Sequence, residues 1–293
     1  MKKLLNKKVL LIIGLLFVLT ACTNVIDPDT KRVYADKVIG LDTTFSSIFE
    51  SESWFTALLI YPLAQAINWL DQFVGVFLSI TIVTIAIKLI TLGGTIKSTV
   101  ASQKMQMINP ELKRIQAKYE GKTDNQSKMK MGQEMQALYS KHNINPFGAM
   151  GVMFIQFPVI IAMYQAVQRS AAVYNGEVFG ASLSVSPWAA FGEGIWFFMA
   201  IYLLMGGMQF VSMRLPIWLQ KKNNPVKEKK YAEGKKSGPN MEIMMYSSIG
   251  FIMFLAIGWP TAMSLYWLVT SIAQAGQTLF IQHHYIEPEQ QGL

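Results

Sequence analysis

The chain has 293 residues, 52% of them hydrophobic and 15% charged, with a formal net charge of +8. Several uninterrupted apolar runs at this length exclude a soluble globule and predict an all-α, polytopic membrane protein. A single cysteine excludes an intramolecular disulfide, and none of His142, His283 and His284 lies beside an intramembrane nucleophile or acid, so neither a catalytic centre nor a metal site is expected.

Residues 1–21 read as a signal peptide, with Lys2, Lys3, Lys7 and Lys8 ahead of the apolar stretch from Val9 to Val18. Leu19-Thr20-Ala21-Cys22 resembles the lipobox of bacterial lipoproteins. That resemblance implies cleavage before Cys22 and covalent attachment of a diacylglycerol and an N-acyl lipid to Cys22, with no other cofactor. Residues 22–72 are then a lipid-anchored extracytoplasmic segment, a polar linker from Thr23 to Ser53 followed by an interfacial helix from Trp54 to Leu70. Its apolar side is expected to carry Trp54, Phe55, Leu58, Leu59, Leu63, Ile67 and Leu70, with Gln65, Asn68 and Asp71 elsewhere. Pro62 and these polar breaks set it apart from a true span.

Residues 73–97 form the first transmembrane helix, and Lys88 lies within it. A charge at mid-helix costs roughly 2.5 to 3.5 kcal/mol on insertion scales, so its presence points to function. Lys88 lies about 13 Å from the far end of the run at 1.5 Å per residue, deep for snorkelling to the headgroups. Thr81, Thr84, Lys88, Thr91 and Thr95 are spaced 3, 4, 3, 4 and share one helical face. The plain alternative is that the threonines bond back one turn along their own helix.

Residues 98–145 carry nine lysines and arginines counted with Lys97 and read as a cytoplasmic helical hairpin, Gln103 to Tyr119 and Gln126 to His142, joined by Glu120-Gly121-Lys122-Thr123-Asp124-Asn125. Met105, Met107, Met129, Met131 and Met135 beside its lysines suit adaptable apolar contacts and anionic lipid or RNA, or else ordinary packing seams. Further transmembrane helices are expected at 146–174, 195–215, 242–258 and 261–281. Between them lie an extracytoplasmic loop without Lys or Arg after Ser170 (175–194), a basic cytoplasmic loop (216–241) and a bare turn at Gly258-Trp259-Pro260; a short cytoplasmic tail (282–293) follows. Positive-inside counting gives five spans, the N-terminus outside and the C-terminus inside.

The last span repeats the stripe with Ser264, Trp267, Ser271, Gln274 and Thr278. Gln156 lies mid-span before Pro158, where a freed carbonyl needs a partner. A hydrated groove lined by Lys88, Thr84, Thr91, Gln156, Ser264, Trp267, Ser271 and Gln274 follows, no Asp or Glu lying within the apolar runs, the fourth counted from Ile243 to Gly258, to neutralise the lysine. The competing use of such residues is to bond helices to one another.

The chain resembles the YidC-type membrane protein insertases, in the five-span lipoprotein form of Gram-positive bacteria, from about Trp54 to Ile281. The resemblance rests on the charged first span followed by Asn109-Pro110-Glu111-Leu112; on Asn145-Pro146 leading to Gln156-Phe157-Pro158 and Tyr164; and on Trp259-Pro260 with Ser264-Leu265-Tyr266-Trp267. It implies a non-enzymatic insertase and chaperone in the bacterial cytoplasmic membrane, working alone or with the Sec translocon. Nascent membrane proteins and membrane lipids are the implied partners, with the ribosome or targeting machinery met by the hairpin. The family usually has arginine where this chain has Lys88, proline where it has Gly93, and a glycine-rich turn where it has Thr261-Ala262-Met263. The tail is short and not basic, unlike a strong ribosome-binding tail. The rival reading is a small-ion or solute transporter with Lys88 as an anion site, against which no internal symmetry is visible.

Overall fold

Backbone N–H and C=O groups in an apolar setting must be satisfied within the chain, and helix is the local way to do so. The computed structural model describes residues 25, 27, 33–223 and 241–288, and these are predominantly helical. The expected signal peptide, Cys22, most of the expected basic loop and the last residues of the chain lie outside the described residues. The chain divides into two compact units, the first comprising Met1–Val83, Gln156–Met199 and Trp259–Tyr266, the second Thr84–Ile155, Ala200–Gly258 and Trp267–Leu293.

In the first unit the segment expected to be a polar linker is built into the structure. Helix α1, Phe45–Ser51, starts at Thr44, whose side chain accepts from the Ser47 N–H. Ile39, Ile48 and Phe55 are buried with Ala57, Ile60 and Ala64 against Ala162 and Ala166. The sequence concealed this because the apolar residues of the segment are too sparse to show a period.

Helix α2, Tyr61–Met107, follows a π-helical turn at Thr56–Ile60 and is broken at Gly75, with φ 78° and ψ 158°. Only glycine adopts that backbone readily. The break falls at Gly75, two residues after the boundary expected between interfacial helix and first span. Asn68, expected away from the packed side, is buried: its Nδ2 donates to Ile39 O at 2.7 Å, and its Oδ1 accepts from Ser170 Oγ at 2.6 Å and Ala172 N at 3.0 Å. Leu58, Leu59 and Trp69 are exposed instead.

In the second unit α2 leads into α3, Asn109–Lys118, and α4, Asn125–Lys141. They pack through Ile108, Leu112, Leu138 and Ile144, with Met105 and Met135 in the same cluster. Asp124 caps α4 by accepting from the Ser127 N–H, which holds its carboxyl below the usual carboxylate range. Lys118 first and Tyr119 second donate to Glu134 and lower its pKa likewise.

Helix α5, Pro146–Arg169, spans both units and ends five residues before the predicted Tyr174. In the first unit, the carbonyl of Arg169 accepts the Ile39 N–H at 2.6 Å, and Ala171 N donates to Ile39 O at 3.0 Å, so Ser170 is pulled into extended backbone before the one-turn α6, Ala171–Asn175. The loop that follows is built too: β1, Glu177–Val178, pairs antiparallel with β2, Ala181–Ser182, and α7, Pro187–Gly192, is capped by Ser186.

Helices α8, Trp196–Asn223, α9, Met241–Ala256, and α10, Thr261–Ile281, complete the chain, and a π-helical turn over Gln282–Ile286 prolongs the last. In the first unit the N–H groups of Thr261 and Ala262, which a helix start leaves unpaired, donate to Val185 O and Leu183 O. In the second, Gly206 of α8 lies so close to Met253 of α9 that an added Cβ would meet its Sδ and Cε at 2.6 Å. Among the described residues Thr56–Met107 and Trp196–Leu219 are long and apolar enough to cross a membrane, and Met245–Ala256 is a shorter apolar helix.

A cation overlooked in the sequence holds the first unit together. Arg169 is fully buried; its Nη1 and Nη2 donate to the two carboxylate oxygens of Glu52 at 2.8 and 2.6 Å, and its Nε donates to Lys37 O at 2.8 Å. Removing one member of such a pair strands a buried charge, at about 3–5 kcal/mol. Glu52→Ala is therefore expected to destabilise the detergent-solubilised protein by about that much, and the double change Glu52→Leu with Arg169→Met by clearly less, as read by equilibrium unfolding.

Candidate functional site

One face of α2 turns inward along its length. Val76, Ser79, Ile80, Val83, Thr84, Thr95, Thr99 and Gln103 are buried, Lys88 and Thr91 half-buried, and Ile82, Ile85, Leu89 and Ile90 exposed. The polar stripe thus faces protein while the apolar side is open. Thr81 bonds back to Phe77 O at 3.0 Å, Thr91 to Ile87 O at 2.8 Å and Thr95 to Thr91 O at 3.0 Å. The local option is used by these hydroxyls, whose oxygens keep acceptor capacity.

The second stripe meets the first within the second unit. Gln277 Nε2 of α10 lies 3.4 Å from Thr95 Oγ1 and 3.3 Å from Thr99 Oγ1, and Gln103 Nε2 lies 3.5 Å from Thr278 O. Ser271 donates to Gln209 Oε1 of α8 at 2.6 Å, so this predicted groove residue joins two helices. Trp267 and Gln274 are half-buried on the same helix. Lys88, Thr84, Thr91, Trp267, Ser271 and Gln274 all belong to the second unit.

The other two predicted residues belong to the first unit. Gln156 is partly exposed. Ser264 is buried, and its Oγ has no hydrogen-bond partner among the described residues. Nearby in chain and unit, the Tyr164 and Trp259 rings contact with centroids 5.2 Å apart.

Gln209, Gln277 and Gln103 were not singled out by spacing. Gln209 had a signal, as the one side-chain amide in the run from Ile195 to Leu215. Gln277 sits one residue off the 3, 4, 3, 4 register, and a helix face is wide enough to include it.

Long apolar helices tied by side-chain amides and hydroxyls, with a cation on the tied face, define a helical membrane protein with an internal polar surface. The chain belongs to the family described as 60Kd inner membrane protein, whose sequence model matches residues 69–289. It is 27% identical over 272 residues to membrane protein insertase MisCA of Bacillus subtilis (strain 168), covering 92% of this chain and 88% of that protein. Similarity to membrane protein insertase YidC 2 of Listeria innocua is 26% over 295 residues, 99% of this chain and 88% of the relative. With membrane protein insertase YidC 1 of Streptococcus pyogenes serotype M1 it is 31% over 227 residues, 78% and 74% of the two chains.

If Ser271 ties α10 to α8, Ser271→Ala leaves Gln209 without that donor. Intramembrane hydrogen bonds average about 0.6 and reach about 1.7 kcal/mol, so a stability loss in that range is expected in mixed micelles. Unchanged stability would return Ser271 to the set of groove residues open to a passing chain.

Proposed function

We infer that this chain is a membrane protein insertase, a non-enzymatic device that places other proteins in the cell membrane. The observation that carries the reading is the family match over residues 69–289, together with relatives named as membrane protein insertases along most of their length. None of the relatives named above is a transporter.

The finer mechanism is our own reading. Lys88 attracts acidic residues in the extracytoplasmic tail of a substrate, while Thr84, Thr91, Trp267, Ser271 and Gln274 of the same unit offer polar and amphipathic contacts along a hydrated groove; Gln156 and Ser264, of the first unit, are proposed as further polar contacts for the substrate. An ammonium and a carboxylate about 4 Å apart attract by about 1 kcal/mol in bulk water and about 4 kcal/mol at an effective dielectric of about 20, so the same charge recruits more strongly at depth. Water in the groove shortens the apolar path that a polar tail must cross, and the apolar substrate helix then leaves sideways into lipid. Support comes from the half-buried position of Lys88 on the inward face of α2 and from the hydroxyls flanking it at one-turn spacing.

The proposed topology has five spans at 73–97, 146–174, 195–215, 242–258 and 261–281, with a lipidated Cys22 outside and the C-terminus in the cytoplasm. The pair α3–α4 then lies in the cytoplasm, where its lysines and methionines would meet substrate, ribosome or targeting machinery. The Sec translocon is the proposed partner in the membrane.

The test is insertion of a single-span substrate with an acidic N-terminal tail into proteoliposomes at matched protein levels. Lys88→Arg is expected to retain activity, Lys88→Ala to lose most of it and Lys88→Glu to lose more. Equal activity in all four proteins would remove the charge from the mechanism.

A further inference from the structure

The tip of the outer β-hairpin is occupied by a residue that its backbone disfavours. Phe179 has φ 54° and Gly180 φ 79°, a turn with both central residues left-handed, where Asn and Gly are preferred. A bulky side chain there is an outlier, and strain of this kind marks positions held for a purpose. Phe179 is 78% exposed, so burial does not repay that strain.

Its ring contacts Phe197 edge-on, with centroids 4.5 Å apart. The neighbouring Trp196 makes a T-shaped contact with Phe191 at 4.7 Å, and Phe191 stacks on Trp188 at 6.4 Å. Beneath them α7 is seated by buried Pro187 and Ala190, so its aromatic side faces outward. All five rings belong to the first unit. They crown the first turn of α8, a helix apolar enough to span, whose exposed Leu203, Leu204, Phe210 and Val211 continue below Trp196 and Phe197.

We propose that Phe179, Trp188, Phe191, Trp196 and Phe197 form an aromatic foot that sits in the headgroup region of the outer leaflet and grips the lipid interface. Trp rings favour that layer because an apolar body and an N–H tip match its gradient from oil to water. Continuity with the exposed apolar side of α8 selects lipid as the occupant. The charge pattern agrees: the loop from Ser170 to Gly194 has no Lys or Arg and carries Glu177 and Glu193, so the grip is apolar and interfacial rather than an attraction to anionic headgroups. The foot fixes the depth of the loop whose carbonyls at Leu183 and Val185 cap α10. It rests on the reading that α8 crosses the membrane.

The full-length protein labelled with 5-fluorotryptophan is placed in nanodiscs of phosphatidylcholine and phosphatidylglycerol, and the signals are assigned with Trp188→Phe and Trp196→Phe. Lipid spin-labelled near the headgroup is expected to remove most of the Trp188 and Trp196 intensity, and a water-soluble gadolinium chelate much less. Loss to the chelate alone would place the patch in water, and protection from both probes would mean that protein covers it; either overturns the proposal. Trp218, exposed near the other end of α8, separates the two readings. If it responds to lipid labels while Trp188 does not, only the foot fails; if neither responds, the span fails with it. Phe179→Asn, which suits the turn, is expected to keep or raise the Tm in detergent and to weaken lipid broadening at Trp196. A lower Tm would make Phe179 a packing residue and overturn its role in the foot.

Discussion

Polar groups carried into an apolar interior need partners inside the protein, and this constraint organises both compact units. In the first, one asparagine and one arginine do most of the joining. Asn68 uses its amide nitrogen and oxygen to hold the Ile39 strand and the turn after α5. Arg169 uses its guanidinium fork on Glu52. In the second, amides of Gln277, Gln103 and Gln209 link neighbouring helices through hydroxyls and a carbonyl. Apolar packing alone gives little registry where the surrounding solvent is as apolar as the helices, so these ties set which faces meet.

Two of the basic residues within apolar runs, Arg169 and Lys88, are treated in opposite ways. Arg169 is sealed, with a planar fork matched to a carboxylate, which is the use for which arginine is better built than lysine. Lys88 is a compact point charge left half-buried beside threonines on the inward face of its helix. A sealed ion pair serves structure, since its charge is already spent on a fixed partner. The role proposed for Lys88 asks instead for a cation partly exposed to a passing chain.

Much of the architecture was legible because it rests on composition and period. Long apolar runs, the 3, 4, 3, 4 stripes, and a polar six-residue break inside a lysine-rich segment correspond to α2, α10 and the pair α3–α4. The position of the break before the first span was misjudged because Asp71 and Gln72 look like a boundary, whereas backbone geometry makes Gly75 one. The segment around Ile39 and Glu52 was invisible because its apolar residues are sparse and some of its partners are over a hundred residues away in the chain, as with Glu52 and Arg169. Within the candidate site the stripe on α2 was readable from its spacing, and burial shows that Thr84 and Thr95 of it face protein. The choice between lining water and tying helices was not readable for Ser271, because that depends on Gln209, a residue on another helix.

The closeness of α8 and α9 has a chemical side. Gly206 admits the thioether of Met253 directly against its backbone, and a Cβ at that position would have to displace it. Oxidation of that sulfur to the sulfoxide adds a polar oxygen to a seam cut to fit a bare thioether. The enlarged group would have to push the helices apart or swing out of the seam, while the backbone carbonyl of Met253 still accepts the Tyr202 hydroxyl at 2.9 Å. A packing detail of two residues thus makes the fit between these helices depend on one sulfur staying unoxidised.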